Sequence, residues 1–184
     1  DALRLAETTG IPWVLNGAKP TGKHLPSPES QRSIADPYAV AAIRLLILTG
    51  ARLREILHAQ WSWVDLSRGV IFLPMSKTGA KPLYLSAAAQ AVIASIRTLE
   101  GNPYIIAGSK VGAPRVDLKK PWAAICRAAS LDGVRLHDLR HSFASIGAGT
   151  SLGLPIIGKL LGHSQPTTTA RYAHLDANPI RRAA

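Results

Sequence analysis

A histidine and an arginine three positions apart are the residues of this sequence whose types and spacing most clearly suggest chemistry. His137 and Arg140 lie within the run RLHDLRHSFA at positions 135–144, where apolar residues recur at helical spacing. On a helix, residues three apart share one face. An arginine fork beside an imidazole suits a phosphate group, because the fork can donate two parallel hydrogen bonds to its oxygens. We therefore expect both side chains to look outward from a rigid helix. The positions expected to face the core are Leu136, Leu139, Phe143 and Ile146.

The overall charge favours a polyanionic partner. The 184 residues include 22 Lys and Arg against 11 Asp and Glu, which gives a formal net charge of +11 and a pI near 10.4. That balance is typical of domains that bind nucleic acid. The sequence does not suggest a membrane partner. It contains no basic amphipathic helix with a broad aromatic face and no apolar run long enough to cross a bilayer. The single cysteine, Cys126, excludes an internal disulfide and suits the cytoplasm, where thiols stay reduced.

The elements that must position these residues are mostly helices. Asp36-Pro37 begins a buried helix that Thr49-Gly50 ends, and a second, short helix follows. Residues 69–74 and 81–85 are predicted strands, and the turn chemistry of residues 76–79 makes them a β-hairpin. The remaining predicted elements are a helix from Ser86 to about Glu100, a short strand over 104–107, and helices over 117–130, 154–161 and 167–175. The sequence therefore predicts a mainly α fold with one small antiparallel β-sheet, in the α+β class.

The first 35 residues have a different composition from the rest. Residues 10–28 are rich in Gly, Pro and Lys, which is typical of a linker or a segment that wraps around a partner. Lys19 and Lys23 lie in this segment, and we expect them to contact backbone phosphates of DNA. The chain begins at Asp1 rather than Met, so we expect a fragment of a longer protein.

Five short motifs resemble, in order, those of the tyrosine recombinases, the phage integrase family. They are TGARLREI at 49–56, SKTG at 76–79, HDLRHSFA at 137–144, LLGH at 160–163, and Tyr172. They are similar to the family's first arginine motif, hairpin lysine motif, His-x-x-Arg box, second histidine position and nucleophile. The resemblance covers about residues 36–176, and five motifs in sequence are far more specific than any one of them.

The resemblance implies that a tyrosine attacks a DNA phosphodiester. Tyr172 would form a covalent 3′-phosphotyrosine, while Arg52, Arg140 and His163 would stabilise the charge that develops on the non-bridging oxygens. Two further residues would move protons. His137 is the candidate base for the phenol, and Lys77, at the hairpin tip, is the candidate acid for the departing 5′ oxygen.

Neighbouring residues have supporting or rival roles. Lys81 is a rival for the role of Lys77 and otherwise a DNA-binding residue, and Arg171 is expected to touch backbone phosphate. Glu55 is expected to buttress the site, although a simple ion pair with Arg52 is the alternative. His141 is expected to be a structural or supporting residue.

A metal site is the alternative for the two histidines of the His-x-x-Arg box. His137 and His141 are four apart, as in some zinc sites. No third ligand lies at suitable spacing, and Arg140 lies between them. The sequence therefore predicts no metal and no other cofactor.

The implied function is site-specific recombination of double-stranded DNA, as by the integrase of a mobile element. Strand exchange would need neither ATP nor metal, and self-assembly into a tetramer on DNA is expected, in a cytoplasmic, nucleoid-associated protein. The expected domains are the end of an upstream DNA-clamping domain with its linker (1–35), the catalytic domain (36–176) and a C-terminal tail (177–184). Three rivals stay open: a type IB topoisomerase-like enzyme, a non-catalytic DNA-binding regulator, and a metal-dependent nuclease.

Overall fold

A computed structural model describes residues 1–12, 31–76, 79–150 and 153–175. The α-helices in these ranges are α1 (Ala2–Glu7), α2 (Pro37–Thr49), α3 (Leu53–Leu57), α4 (Ala87–Ser95), α5 (Lys119–Ala128), α6 (Leu136–Gly149), α7 (Leu154–Leu161) and α8 (Pro166–Ala170). The strands are β1 (Ile11–Pro12), β2 (Arg32–Ser33), β3 (Val64–Asp65), β4 (Val70–Leu73) and β5 (Lys81–Tyr84), and short 3-10 turns cover Trp61–Trp63 and Ala173–Leu175. The prediction of a mainly helical α+β fold is confirmed. Within the described ranges, no helix combines the length and apolar character needed to cross a membrane.

The described chain forms two compact units. The first comprises residues 1–40 and 118–134. In it, Asp1 caps α1 by accepting a hydrogen bond from the backbone N–H of Leu3 (3.0 Å), and β1 pairs antiparallel with β2. The indole of Trp122 on α5 donates to the carbonyl of Val134 (2.9 Å), which closes the loop after that helix.

The second unit, residues 41–117 and 135–184, contains the three-stranded sheet β3-β4-β5. Strands β4 and β5 form the predicted hairpin, with Ile71 opposite Leu83 and Leu73 opposite Lys81. Ile71 and Leu83 are buried, so this face of the hairpin packs on the core and fixes the position at which β5 begins. Lys81 is the first residue of β5, and its direction is therefore set by the pairing.

Helices α6 and α7, with Tyr172 from the segment after α8, form a cluster of apolar residues. Its buried members are Ala144, Ala148, Ile157, Leu161 and Tyr172. The turn after α2 closes against the same cluster. Gly50 has a left-handed φ of +62°, and a Cβ there would lie 2.6 Å from the Phe143 ring and 3.0 Å from Leu161. Glycine is thus required between α2 and α3 for both the turn and the close packing.

The prediction for the exposed and buried faces of α6 was partly wrong. The buried positions are Arg140, Ala144 and Ala148, spaced four apart, whereas Ile146 is 68% exposed. Arg140 is 5% exposed, so it does not look outward with His137, which is exposed. The reason is that the guanidinium finds backbone acceptors inside the fold, which the hydrophobic pattern could not reveal.

Several element boundaries also differ from the prediction. Helix α4 ends at Ser95 rather than near Glu100. Residues 97–100 are all exposed, and a further turn would have no surface to pack against. Residues 104–107 form isolated bridges, from Tyr104 to Gln60 and from Ala107 to Pro114, instead of a strand. The helix predicted over 167–175 is interrupted after Ala170. The helix predicted from Asp117 begins instead at Lys119, without a side-chain cap.

Candidate active site

Arg140 lies at the centre of the site and joins three segments of the chain. Its Nη1 donates to the carbonyl of Gly50 (2.7 Å), and its Nη2 donates to the carbonyl of Leu161 (2.8 Å). Both bonds are buried, and they connect α6 to the end of α2 and the end of α7. A guanidinium has five N–H groups, so these two bonds fix the fork and leave other N–H groups for a ligand.

Glu55 holds the other two cations of the site. It is the third residue of α3, and its carboxylate accepts from the backbone N–H (2.9 Å) and from Nη1 (2.8 Å) of Arg52, the N-cap of that helix. The Lys81 ammonium donates to the same carboxylate (3.1 Å). Burial acts to raise the pKa of Glu55, but hydrogen bonds from Arg52 and the charge of Lys81 outweigh it and lower the pKa. Glu55 is therefore ionised at neutral pH; it makes the ion pair with Arg52 and also binds Lys81, and its role in supporting catalysis stays a prediction.

Lys81 connects this ion pair to Arg140. Its Nζ donates to the carbonyl of Leu161 (3.2 Å), the oxygen that also accepts from Arg140. Its side chain is 11% exposed. Burial lowers the pKa of the ammonium, Glu55 opposes this effect, and the charges of Arg52 and Arg140 lower it further. A lysine whose pKa is reduced gives up its proton more readily.

His163 lies beside this group of cations, directly after Gly162, the glycine that ends α7. Burial and then the charges of Arg140, Arg52, Lys81 and Arg171 lower the pKa of its imidazole to about 4. His163 is therefore neutral at physiological pH. Its Nδ1 lies 2.8 Å from the hydroxyl of Thr169, which is 2% exposed.

Tyr172 follows α8, and its hydroxyl reaches α6. The residue is 7% exposed, and its Oη lies 2.6 Å from Nδ1 of His141. The ring packs in the cluster that it forms with α6 and α7. Because His141 directly follows Arg140 on α6, its contact with the hydroxyl holds Tyr172 against the helix that carries the buried guanidinium.

His137 stands one helical turn before His141. The two rings meet edge to face, with centroids 4.9 Å apart. Burial, followed by the charges of His141 and Arg140, lowers the pKa of His137. The residue within hydrogen-bonding distance of the tyrosine is thus His141, although the sequence suggested His137 as its base.

The structure brings together most of the residues singled out in the sequence. These are Arg52, Glu55, Lys81, His137, Arg140, His141, His163 and Tyr172. Arg171 is exposed at the end of α8. Lys77, Lys19 and Lys23 lie outside the described residues, and their roles stay predictions. The same is true of DNA contacts by Lys81 and Arg171.

Three participants carry no strong signal in the sequence. The Leu161 carbonyl is a backbone atom, and Thr169 is one of three consecutive threonines. Gly158 leaves the space for Thr169, because a Cβ at position 158 would lie 2.9 Å from the threonine hydroxyl. The sequence offers one hint of this packing, a glycine five residues before His163 at a helix end. In the structure the N–H of His163 donates to the Gly158 carbonyl (2.8 Å). Across the described ranges, no three His, Cys, Asp or Glu side chains are grouped as metal ligands.

Comparisons with known proteins identify the family of this chain. The model of the phage integrase family matches residues 28–178. The tyrosine recombinase XerA of Thermococcus kodakarensis is 30% identical over 149 residues, which cover 77% of this chain and 52% of that protein.

Two solved structures share the fold. The XerH site-specific recombinase, in a post-cleavage complex with a palindromic difH substrate, matches with a TM-score of 0.66 at 21% identity, over 80% of this chain and 45% of that one. The catalytic domain of bacteriophage HP1 integrase matches with a TM-score of 0.60 at 22% identity, over 78% of this chain and 79% of that one.

The chain spans about half the length of the recombinases to which its sequence is most similar in these comparisons. The family match nevertheless covers most of the chain and includes every motif described above. The chain belongs to the phage integrase family.

Proposed function

We propose that this chain is the catalytic part of a tyrosine-type site-specific recombinase, which cleaves and rejoins double-stranded DNA. One observation carries the proposal: Arg52, Lys81 and Arg140 form a continuous group through Glu55 and the Leu161 carbonyl, and the hydroxyl of Tyr172 contacts His141, the residue after Arg140. Such a fixed group of donors suits a phosphodiester under attack, because negative charge accumulates on its non-bridging oxygens.

The proposed reaction begins with attack of Tyr172 Oη on the phosphorus atom. The bond from phosphorus to Oη forms as the bond to the 5′ oxygen breaks, which gives a 3′-phosphotyrosine and a free 5′ hydroxyl. Arg52, Arg140 and neutral His163 donate hydrogen bonds to the non-bridging oxygens. Attack by a 5′ hydroxyl from another duplex reverses these bond changes and exchanges strands without an external energy source.

A lysine supplies the proton that the departing 5′ oxygen needs. Lys77 is the first candidate because of its place in the hairpin motif, and Lys81 is the second. Lys81 is supported by its position between Glu55 and the Leu161 carbonyl and by its lowered pKa. Lys19, Lys23 and Arg171 are proposed to contact the DNA backbone.

The proposed partner is double-stranded DNA, bound by a self-assembled complex of protomers. The net charge of +11 supports a nucleic-acid partner. The XerH recombinase is bound to a palindromic substrate in its solved structure. A palindrome suits two protomers related by a twofold axis. With two protomers on each duplex, exchange between two duplexes requires four protomers. We propose that this complex acts in the cytoplasm on chromosomal DNA.

The test uses a pool of nicked duplexes, because the target sequence is unknown. Each duplex has a randomised sequence around a nick, so that the short strand beyond a cleaved phosphate diffuses away and the covalent adduct accumulates. The chain is incubated with the pool at low salt, where phosphate contacts are strongest. Adducts that survive detergent are isolated, and the attached DNA is sequenced.

Tyr172→Phe is the matched control, since it removes only the hydroxyl and keeps the ring in its cluster. We expect adduct with the native chain and none with Tyr172→Phe. Absence of adduct from both, with DNA still bound, would instead support a non-catalytic regulator. Cleavage that excess chelator abolishes would support a metal-dependent nuclease. Recovery of a defined target, rather than random sequence, separates a recombinase from a relaxing topoisomerase.

A further inference from the structure

We propose that His141 is the group that accepts the proton of Tyr172 during strand cleavage and returns it during rejoining. This inference rests on the proposed function and assigns a step that the sequence motifs alone gave to His137. The observation that carries it is the 2.6 Å contact between Nδ1 of His141 and Oη of Tyr172.

The first argument is distance. A general base must lie within about 2.6–3.2 Å of the oxygen whose proton it removes. His141 meets this condition, and a neutral imidazole with its hydrogen on Nε2 presents a lone pair at Nδ1 to the phenol. Tyr172 is 7% exposed as a residue, so direct loss of its proton to bulk water is disfavoured relative to transfer to His141.

The second argument is rigidity. Arg140 is the neighbour of His141 and is tied to two backbone carbonyls from other elements. The start of α6 is closed by Asp138, which accepts from the backbone N–H of Arg135 at 2.8 Å. Helix α6 therefore cannot rotate freely, and His141 keeps its direction towards Tyr172.

The third argument concerns the charges that proton transfer creates. Titratable and charged groups near this pair include His137, Asp138 and Arg140 on α6, and Arg171 and His174 on the segment that carries Tyr172 and packs against α6. Hydrogen bonds from Arg135 chiefly hold the pKa of the Asp138 carboxyl at about 2, and the charge of His141 lowers it slightly further. The ionised carboxylate attracts a protonated His141. Arg140 in turn attracts a phenolate at Tyr172.

His137 completes the arrangement from the exposed side. Its ring faces His141 edge-on at a centroid distance of 4.9 Å, and burial, followed by the charge of His141, lowers the pKa of His137. His137 remains available for contact with the phosphate, while His141 holds the proton.

The proton balance closes over a full cycle. In cleavage, the phenol proton passes to Nδ1 of His141 as the Oη–phosphorus bond forms, and a lysine ammonium gives a proton to the departing 5′ oxygen. In rejoining, an incoming 5′ hydroxyl returns its proton to the lysine, and His141 returns its proton to Oη as the phosphotyrosine bond breaks.

The experiment measures the single-turnover rate of adduct formation on the nicked pool between about pH 5 and about pH 9, the range in which imidazole titrates. The variants are His141→Gln, His141→Ala and, for comparison, His137→Gln. We expect His141→Gln to lower the rate about 100-fold or more, as is typical for loss of a general base. The decline in rate at acid pH should disappear in this variant and persist in His137→Gln.

Rescue distinguishes proton transfer from a structural effect. Free imidazole should accelerate His141→Ala and leave the native chain unchanged, and both His141 variants should unfold at temperatures close to that of the native chain. If His141→Gln keeps the native rate and acid limb, or if His137→Gln abolishes the acid limb instead, the proposal is overturned. A native chain that forms no adduct would instead refute the proposed function.

Discussion

At the scale of single residues, burial and the neighbouring cations together determine what His163 can do. Its pKa of about 4 keeps the imidazole neutral among Arg140, Arg52 and Lys81. A neutral imidazole donates from one nitrogen only, and the partner of the other nitrogen decides which one. Thr169 lies at Nδ1 and is held against Gly158. If the threonine hydroxyl donates to Nδ1, the hydrogen of His163 lies on Nε2 and can point to a phosphate oxygen.

Thr169→Val should therefore impair His163 without removing it. Valine has the shape of threonine but no hydroxyl, so the hydrogen of His163 redistributes between its nitrogens. We expect a loss of about 1.4 kcal/mol of transition-state stabilisation, which is about tenfold in adduct rate. Nitrogen NMR of the imidazole should show the Nδ1–H form increasing. Thr169→Ser is the matched control and should keep both the rate and the tautomer; an unchanged tautomer in Thr169→Val would contradict the assignment.

The identity of the leaving-group acid is a second question at this scale. Replacing the bridging 5′ oxygen with sulfur makes the leaving group a thiolate, which departs without protonation because thiol pKa values are about 8.5. A lysine that acts as the acid should become dispensable on such a substrate. We expect Lys77→Ala to lose rate on the oxygen substrate and to recover on the sulfur substrate.

Lys81→Ala provides the comparison on both substrates. If Lys81 is a fixed cation rather than the acid, its loss should slow both substrates equally, because its bonds to Glu55 and the Leu161 carbonyl position the site in either case. Recovery of Lys81→Ala but not Lys77→Ala on sulfur would exchange the two roles.

At the scale of elements, two of the candidate residues lie beside helix ends, and this is the part that the sequence could predict. Arg52 precedes α3 and His163 follows α7, at positions that glycine and capping signals make visible. The burial of Arg140 could not be predicted. Hydrophobic periodicity assigns guanidinium groups to the surface, whereas the acceptors that retain Arg140 are carbonyls 21 and 90 residues away in sequence. The contact from His141 to Tyr172 likewise depends on the packing of α8 against α7.

The end of α7 offers a test of how an element positions the site. Gly162 has a φ of +67°, and a Cβ there would lie 2.7 Å from Cδ and 2.8 Å from Nζ of Lys81. Gly162→Ala should destabilise the fold by about 1–2 kcal/mol from the left-handed backbone alone. It should also displace Lys81 from Glu55, because the bound ammonium has to move, and the adduct rate should fall.

Gly101→Ala is the matched control for that prediction. Gly101 has a similar φ of +73°, and nothing lies within 4 Å of its added Cβ. Urea unfolding should give comparable losses of stability in the two variants, while only Gly162→Ala loses adduct rate. Equal adduct rates in the two variants would mean that the Lys81 position does not depend on Gly162.

At the scale of the whole molecule, the net charge of +11 must be divided between a general attraction to DNA and specific phosphate contacts. The cations of the candidate site are partly neutralised by Glu55, so much of the attraction has to come from elsewhere on the chain. The segment over residues 10–28 is rich in lysine, and the sequence predicts that Lys19 and Lys23 contact phosphates there. Each phosphate contact releases condensed counterions and steepens the salt dependence of binding.

The double variant Lys19→Gln/Lys23→Gln should therefore change the salt slope as well as the affinity. A plot of log affinity against log salt concentration should become shallower by about 1.8, since each phosphate contact contributes about 0.9. Fluorescence anisotropy with a labelled duplex measures the slope. Lys110→Gln/Lys120→Gln removes the same charge from two other exposed positions and should lower the affinity while changing the slope much less. If the two double variants behave alike, the attraction arises from overall charge, and the predicted contacts of Lys19 and Lys23 are wrong.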